Sequence, residues 1–335
     1  MPFIKTLTQF RSVSIVGTAK NTGKTTCLNY VIRRLHEEGK TIALTSIGVD
    51  GEERDVLYDT PKPRIVLEKG MVFVTSEKDF EQRECPAEVL SVSDRATPLG
   101  RLITARAEGL GKVVLSGPSD SAWLQTVIST MPNYGVELTL VDGALSRMSL
   151  ASPAVTDAMI LCTGAACSPQ LEELVRRTKF RCTLIELEQV DERVQSDLRP
   201  FSSGVWVLND VAGEWEIISD SVFTFEKTAQ HLLANARAIY VVGAVTDHFF
   251  QLLNTTKTPN TKLIIGDFTK LFITPTTYNK FTRNGGRINV LQKAQLLAVC
   301  TNPTSPEGTG LDPLTLQQRM QEALSVPVYD VKREA

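Results

Sequence analysis

The feature that most constrains this chain is a short apolar run that passes through a glycine-containing loop into a helix. Residues 12–16 (SVSIV) are mostly β-branched and apolar, which is typical of a buried strand. Leucine, valine and isoleucine then recur at helical spacing over residues 28–35, until Gly39 ends the pattern. The sequence therefore predicts a strand, a loop and a helix in that order, which is the context that a phosphate-binding loop requires.

The segment between strand and helix, residues 17–26 (GTAKNTGKTT), is called the glycine loop below. A loop that enters a helix directs unpaired backbone N–H groups at one point, and Gly23 lets the main chain approach phosphate oxygens closely. Lys24 would bring a positive charge to the β- and γ-phosphates of a nucleotide, and the Thr25 hydroxyl would bind Mg²⁺. The residues predicted to contact the nucleotide are Gly17, Thr18, Lys20, Asn21, Thr22, Gly23, Lys24, Thr25 and Thr26.

The glycine loop is a variant of the usual phosphate-binding motif. That motif has its first glycine where this chain has Thr18, and Gly17 lies one residue further back. Lys20 could reach a phosphate, or it could be a solvated loop lysine. The alternative for the whole segment is an ordinary glycine turn that opens a helix.

Two acidic positions are candidates for the metal site. Asp142 follows residues 136–141 (VELTLV), four of which are apolar, and a carboxylate at the end of a buried strand is costly unless it is paired or bound to a cation. It could support Mg²⁺ or cap the next helix. A second acidic group, at Asp50, Glu52, Glu53 and Asp55, is either a solvated loop or a source of one ligand, for which Asp50 is the leading candidate.

The predicted catalytic residues are therefore Lys24, Asp50 and Asp142, and the predicted metal ligands are Thr25, Asp142 and Asp50. The implied cofactors are ATP and Mg²⁺. Asp50 could hold the ion or orient the attacking water.

The order of apolar runs predicts an α/β fold. Strands at 41–46, 112–116, 136–141 and 158–162 alternate with helices, which predicts a mostly parallel sheet in a phosphate-loop domain of residues 1–200. Ligands of such sheets lie at the carboxyl ends of the strands. Residues 64–75 are expected to form a β insertion.

A second, smaller α/β domain is expected in residues 236–335. The hairpin pattern at 205–218 predicts a linker over residues 201–235, after which strands are predicted at 238–243, 262–266, 295–300 and 326–331, with a helix at 313–324. Polar residues follow several of these strands and could form one rim that binds a partner or small ligand, or could be turn residues. They are Asp247, Lys270, Asn302 and Ser305.

Composition excludes several functional classes. With 335 residues, 42% of them hydrophobic, the chain is long enough for two domains, and its net charge of −2 gives no electrostatic case for nucleic acid or an anionic membrane. No apolar run approaches eighteen residues, so a cytoplasmic protein is expected. The six cysteines lack zinc or redox spacing, and the three histidines lie too far apart in sequence to suggest a histidine-rich metal site or a Ser/His/Asp triad.

Several segments carry a resemblance to one protein family. The chain resembles the nucleotide-binding subunit of the reactivating system for lysine 5,6-aminomutase and related ornithine aminomutases. The segments are SVSIVGTAKNTGKTTCLNYVI, TSIGVDGEE, LVDGALSR, AMILCTGAA, VVGAVTDHF, IIGDFTKLFI and VCTNPTSPEGTGLDP. The resemblance implies an ATP-dependent helper. Together with a MutS-like ATPase subunit, it would exchange damaged cobalamin on an aminomutase that uses adenosylcobalamin and pyridoxal phosphate.

The glycine loop is also similar to that of dethiobiotin synthetase and its relatives. That group has an acidic residue after Gly-Thr and a lysine after the second strand, whereas this chain has Ala19 and a TSIGVDG segment without lysine. Three functions follow as hypotheses: an ATP-driven reactivating or assembly factor, an ATP-dependent small-molecule ligase or kinase, and a non-enzymatic nucleotide sensor. In the first, hydrolysis would switch residues 47–55 and 143–149 between two arrangements.

Overall fold

The chain has an α/β fold with mixed sheets. The computed structural model describes residues 2–47, 54, 55, 60, 61, 65–143, 152–209, 213–222, 233, 236–255, 260–306, 308 and 310–333. The chain divides into two compact units. Unit 1 comprises Met1–Lys179 and Gln295–Ala335, and unit 2 comprises Phe180–Ala294.

The α-helices of the described residues are α1 (Pro2–Leu7), α2 (Lys24–Glu37), α3 (Glu77–Glu81), α4 (Ser121–Thr130), α5 (Leu171–Ile185), α6 (Glu192–Leu198), α7 (Asp247–Thr255), α8 (Pro275–Arg283) and α9 (Pro313–Ala323). Short 3₁₀ helices lie at Met131–Tyr134 and Phe268–Lys270. Within the described ranges, no helix combines the length and the apolar composition that crossing a bilayer needs.

The strands of unit 1 are β1 (Ser12–Gly17), β2 (Ile42–Ser46), β3 (Arg54–Asp55), β4 (Thr60–Pro61), β5 (Ile65–Leu67), β6 (Val72–Ser76), β7 (Ala87–Thr97), β8 (Gly100–Ala107), β9 (Gly111–Val113), β10 (Leu138–Gly143), β11 (Ala158–Gly164), β19 (Leu296–Asn302) and β20 (Val328–Tyr329). Those of unit 2 are β12 (Val205–Asn209), β13 (Trp215–Ser219), β14 (Ala236–Val241), β15 (Val245–Thr246), β16 (Lys262–Ile265), β17 (Leu271–Phe272) and β18 (Arg287–Val290).

The core of unit 1 is a nine-stranded sheet in the order β20-β19-β11-β1-β10-β2-β6-β8-β7. The strands from β20 to β6 pair in parallel, and β8 and β7 complete the sheet as an antiparallel hairpin. All six residues of β1 are buried. Strands buried on both faces read as continuous apolar runs in the sequence, which is why residues 12–16 indicate a central strand.

Helix α2 packs on this sheet through its apolar side. Its buried residues are Cys27, Leu28, Tyr30, Val31, Ile32 and Leu35, and they join a core cluster with side chains of β1, β10, β11 and β19. The strand–loop–helix order predicted for residues 12–39 is therefore confirmed, with the helix beginning at Lys24.

Unit 2 has its own five-stranded sheet in the order β13-β12-β14-β16-β18. β14, β16 and β18 are parallel, and β12 pairs antiparallel with both β13 and β14. Phe249 and Phe250 of α7 are fully buried in its core, and Phe201 stacks on Trp206 with ring centroids 3.7 Å apart. The predicted hairpin at 205–218 is present, but it belongs to this sheet and is not a linker.

Several predictions for unit 1 are wrong in detail. The predicted strand at 112–116 is shorter and pairs antiparallel with β5 outside the nine-stranded sheet. Residues 64–75 are not merely an insertion, because β6 pairs in parallel with β2 inside the main sheet. The β7–β8 hairpin had no counterpart in the sequence analysis.

The predicted domain boundaries are also wrong. The sequence predicts a second domain of residues 236–335, which would include the strands at 295–300 and 326–331 and the helix at 313–324. Instead, β19 pairs in parallel with β11 and β20 pairs with β19, so the end of the chain completes the sheet of unit 1. A fragment of residues 1–200 would lack both strands.

We therefore predict that a chain ended after residue 294 loses the cooperative unfolding of unit 1. Leu296, Leu297 and Val299 of β19 are at most 8% exposed. Burying each contributes about 1.5–3 kcal/mol, and their sum is comparable with the about 5–15 kcal/mol that stabilises a typical domain. Thermal unfolding followed by circular dichroism would test this, with a chain ended after residue 333 as the control. Equal melting curves for the two chains would contradict the strand assignment.

Candidate functional site

The candidate site lies where five parallel strands of unit 1 end. In register, Ile15 of β1 lies beside Asp142 of β10 and Asp142 lies beside Ser46 of β2. On the other side, Gly17 of β1 pairs with Cys162 of β11, and Gly164 of β11 pairs with Asn302 of β19. The carboxyl ends of β1, β2, β10, β11 and β19 therefore share one edge of the sheet, as the parallel arrangement predicts.

The glycine loop turns through two left-handed backbone conformations. Asn21 has φ of +59° and Gly23 has φ of +86°, and Gly23 is the residue immediately before α2. Asn is one of the few non-glycine residues that adopt this region readily. Gly23 has no side chain to cap the helix, so the N–H groups of the first turn of α2 point out of the loop.

The loop folds back closely over Gly17. A Cβ atom at Gly17 would lie 2.5 Å from Thr22 Oγ1 and 3.1 Å from Lys24 Cγ, so no larger residue fits without movement. Thr22 is 2% exposed, and its hydroxyl donates to Ala19 O at 3.0 Å. The close approach of Thr22 and Lys24 therefore favours glycine at position 17.

Thr18 fastens the start of the loop to β11. Its backbone N–H donates to Cys162 O at 2.8 Å, and its hydroxyl lies 3.1 Å from Thr163 Oγ1 and 2.9 Å from Cys167 Sγ. The Thr18 hydroxyl therefore contacts β11 and Cys167, and these contacts hold the start of the loop in position.

Lys24 and Asp142 form an ion pair across the site. Lys24 Nζ lies 3.3 Å from Asp142 Oδ1, and each side chain is 23% exposed. A partly exposed pair of this kind stabilises a fold by no more than about 1 kcal/mol. Ser46 Oγ donates to the backbone oxygen of Asp142 at 3.2 Å, which holds the ends of β2 and β10 together. A cation and a carboxylate thus face each other at the open end of the sheet.

Three buried thiols meet under the loop. Cys27 of α2, Cys162 of β11 and Cys300 of β19 are at most 3% exposed, and Cys27 Sγ donates to Cys300 Sγ at 3.4 Å. Hydrogen bonds from the Cys27 and Cys300 thiols lower the pKa of Cys162 to about 5, and the Lys24 charge acts in the same direction. The hydrogen bond to Cys162 raises the pKa of Cys27 well above its usual range.

The four residues of the predicted rim belong to two different units. Asp247 and Lys270 lie in unit 2, whereas Asn302 and Ser305 lie in unit 1. Asp247 accepts hydrogen bonds from Thr274 N and Thr274 Oγ1, so it braces the start of α8. Asn302 instead contacts the glycine loop, since its Nδ2 donates to Asn21 O at 3.0 Å. The sequence does not predict this contact with the glycine loop, because its strand pattern assigns residue 302 to the second domain.

The structure describes most of the other predicted site residues, and some lie outside the described residues. Lys24, Thr25 and Thr26 form the first turn of α2, and the exposed Lys20 lies at the tip of the loop. Asp50, Glu52, Glu53 and residues 144–149 lie outside the described residues, so the proposed switch segments are described only at Ile47, Arg54, Asp55 and Gly143. Asp55 lies in the short strand β3.

The hydroxyl of Thr25 and the carboxylate of Asp142 are hard oxygen donors of the kind that Mg²⁺ prefers, so the donor set fits the predicted ion. Among the described residues, no group of three or more His, Cys, Asp or Glu side chains has the arrangement of a metal site.

Comparison of the chain with protein-family models, with curated proteins and with solved structures gives no match.

Proposed function

We propose that unit 1 binds ATP with Mg²⁺ on the glycine loop and hydrolyses it. The observation that carries the proposal is the Lys24–Asp142 pair at the carboxyl end of the sheet, directly beside a loop with two left-handed residues and an uncapped helix. An ordinary glycine turn explains the turn itself, but it explains neither the close approach at Gly17 nor the ammonium group held over the strand ends.

Each residue then has a definite task. The backbone N–H groups at the start of α2 bind phosphate oxygens, and the helix dipole favours negative charge there. Lys24 Nζ binds the β- and γ-phosphates, which would share the ammonium group with Asp142. Thr25 and Asp142 would hold Mg²⁺, which when bound offsets the negative charge on the phosphate oxygens. Gly17 and Gly23 keep the main chain close enough for these contacts.

We propose further that the chain is the ATP-dependent subunit of an aminomutase reactivating system, with a MutS-like ATPase subunit and the aminomutase as partners. The support is the resemblance described above. Four of the segments that carry it begin in β1, β10, β11 and β19, and the strand ends that lie within those segments meet at the glycine loop. Exchange of a spent cofactor needs a conformational cycle, which nucleotide hydrolysis can drive.

Lys24→Ala should weaken ATP binding at least tenfold, about 1.4 kcal/mol, because the charge that meets the β- and γ-phosphates is lost. Titration calorimetry would measure the affinity. Lys40→Ala is the matched control, since Lys40 forms a surface pair with Glu137 at 2.8 Å that lies outside the proposed site. Equal ATP affinity for the wild type and a folded Lys24→Ala variant would exclude phosphate binding by the loop.

Asp142→Asn should lower Mg²⁺-dependent hydrolysis at least about tenfold while changing Mg²⁺-free nucleotide affinity little, because it removes charge and keeps size. Phosphate release would measure hydrolysis. Asp157→Asn is the control, since Asp157 accepts from Arg11 N and Ser12 N at the opposite end of β1. If Asp142→Asn hydrolyses at the full rate, Asp142 has no part in the metal site.

The reactivating function predicts recovery of a spent aminomutase. A cobalamin- and pyridoxal-phosphate-dependent aminomutase, inactivated by turnover, should regain activity when incubated with this chain, the MutS-like subunit, ATP, Mg²⁺ and fresh cobalamin. Recovery should fail with a non-hydrolysable ATP analogue and with Lys24→Ala. Recovery of equal extent without ATP would contradict the reactivating function and leave ATP binding itself untouched.

A further inference from the structure

The glycine loop receives a side chain from a distant part of the sequence. Asn302 is the last residue of β19, the second strand from β1 in the sheet order. Its Nδ2 donates to the backbone oxygen of Asn21 at 3.0 Å, across 281 positions of sequence. Its Cβ also lies against Gly23, where an added Cβ would be only 3.1 Å away. One side chain therefore contacts both left-handed residues of the loop.

The orientation of the Asn302 amide is fixed by its neighbours. Its Oδ1 accepts from Thr304 N at 3.3 Å and from Thr304 Oγ1 at 2.9 Å, which leaves the NH₂ group directed at Asn21. The backbone is held as well, because Ala165 N donates to Asn302 O at 2.9 Å. In the segment that follows, a backbone hydrogen bond joins Leu311 N to Pro303 O at 2.8 Å.

Asn302 contacts the Asn21–Gly23 turn, whose backbone conformation sets the directions of the loop N–H groups. A left-handed residue beside helical ones turns successive N–H groups toward one concave point, which is how backbone segments bind anions. Asn21 holds such a conformation without being glycine, which is energetically less favourable than for glycine. A donor on the Asn21 carbonyl fixes the rotation of the peptide that precedes Thr22. The orientation of the N–H groups thus depends on a residue that need not touch the phosphate.

We propose that Asn302 is a positioning residue for phosphate binding, which holds the Asn21–Gly23 turn in the conformation that accepts phosphate oxygens. The inference rests on the proposed function, because it concerns the same loop. It replaces the earlier expectation that Asn302 belongs to a partner-binding rim of the second domain.

The test compares two ligands on the full chain, ATP and inorganic triphosphate, because the second has no base or ribose. Asn302→Ala removes the donor to Asn21 and should weaken both ligands by the same factor, roughly tenfold, as expected for the loss of one hydrogen bond. Gln317→Ala is the matched control: it removes an amide donor to a different backbone oxygen, that of Val328 at 3.1 Å, and keeps the donor to Asn21, so it should bind both ligands within about twofold of the wild type.

Three outcomes would be decisive. A loss of ATP affinity with unchanged triphosphate affinity would overturn the inference, since Asn302 would then recognise the base or ribose. Unchanged affinity for both ligands would also overturn it. If the wild type binds neither ligand, the proposed function itself fails. Thermal unfolding would show whether Asn302→Ala remains folded, and Asn302→Leu, which keeps the branched shape without the amide, gives the same comparison if it does not.

Discussion

The arrangement of unit 1 depends on the burial of β1 between β10 and β11. Charged groups are costly inside a strand that is paired on both edges and covered on both faces, so the charged groups of this region lie beyond its ends. At the start of β1, the carboxylate of Asp157 accepts the Arg11 and Ser12 N–H groups. At its other end, the chain must turn sharply into α2, and the glycine loop makes that turn. The polar chemistry of the unit is therefore concentrated at one edge by the packing of a single strand.

Packing beneath the loop follows from the same constraint. Helix α2 packs against β11 and β19, and the small residues Cys27, Cys162 and Cys300 are among those that meet there. Cysteine behaves there as a small apolar residue that still offers weak hydrogen bonds. Larger side chains at these positions would lift the start of α2, and with it Lys24, away from the strand ends.

Local features of the fold could be predicted from the sequence, and pairings between distant segments could not. The order of β1, glycine loop and α2 follows from residues 12–39, and the location of Asp142 at the end of β10 follows from one apolar run. The strand at 295–300 was also predicted, but an apolar run does not say which sheet it joins. A signal was present in the residues themselves. Cys162, Thr163 and Gly164 pair in register with Cys300, Thr301 and Asn302, so LCTG of β11 lies beside VCTN of β19.

The β7–β8 hairpin and the segment at 112–116 show the opposite difficulty. Most residues of β7 are at least partly exposed, so the strand lacks the apolar alternation by which an edge strand is recognised. Residues 112–116 do have an apolar run, yet only Gly111–Val113 form a strand, and that strand pairs with β5 and not with the main sheet. In both cases, whether the segment forms a strand depends on the strand with which it can pair and not on its own residues.

The insertion of unit 2 between residues 179 and 295 has a consequence for the order of events during synthesis. Chains emerge from the ribosome from the N-terminus, and domains fold as they appear. The glycine loop is made within the first 26 residues, but β19 and Asn302 follow only after all of unit 2. For most of translation, a nascent chain would therefore contain the glycine loop without the hydrogen bond from Asn302 to Asn21. The sheet edge around the loop could therefore be completed only after the whole of unit 2 has been made.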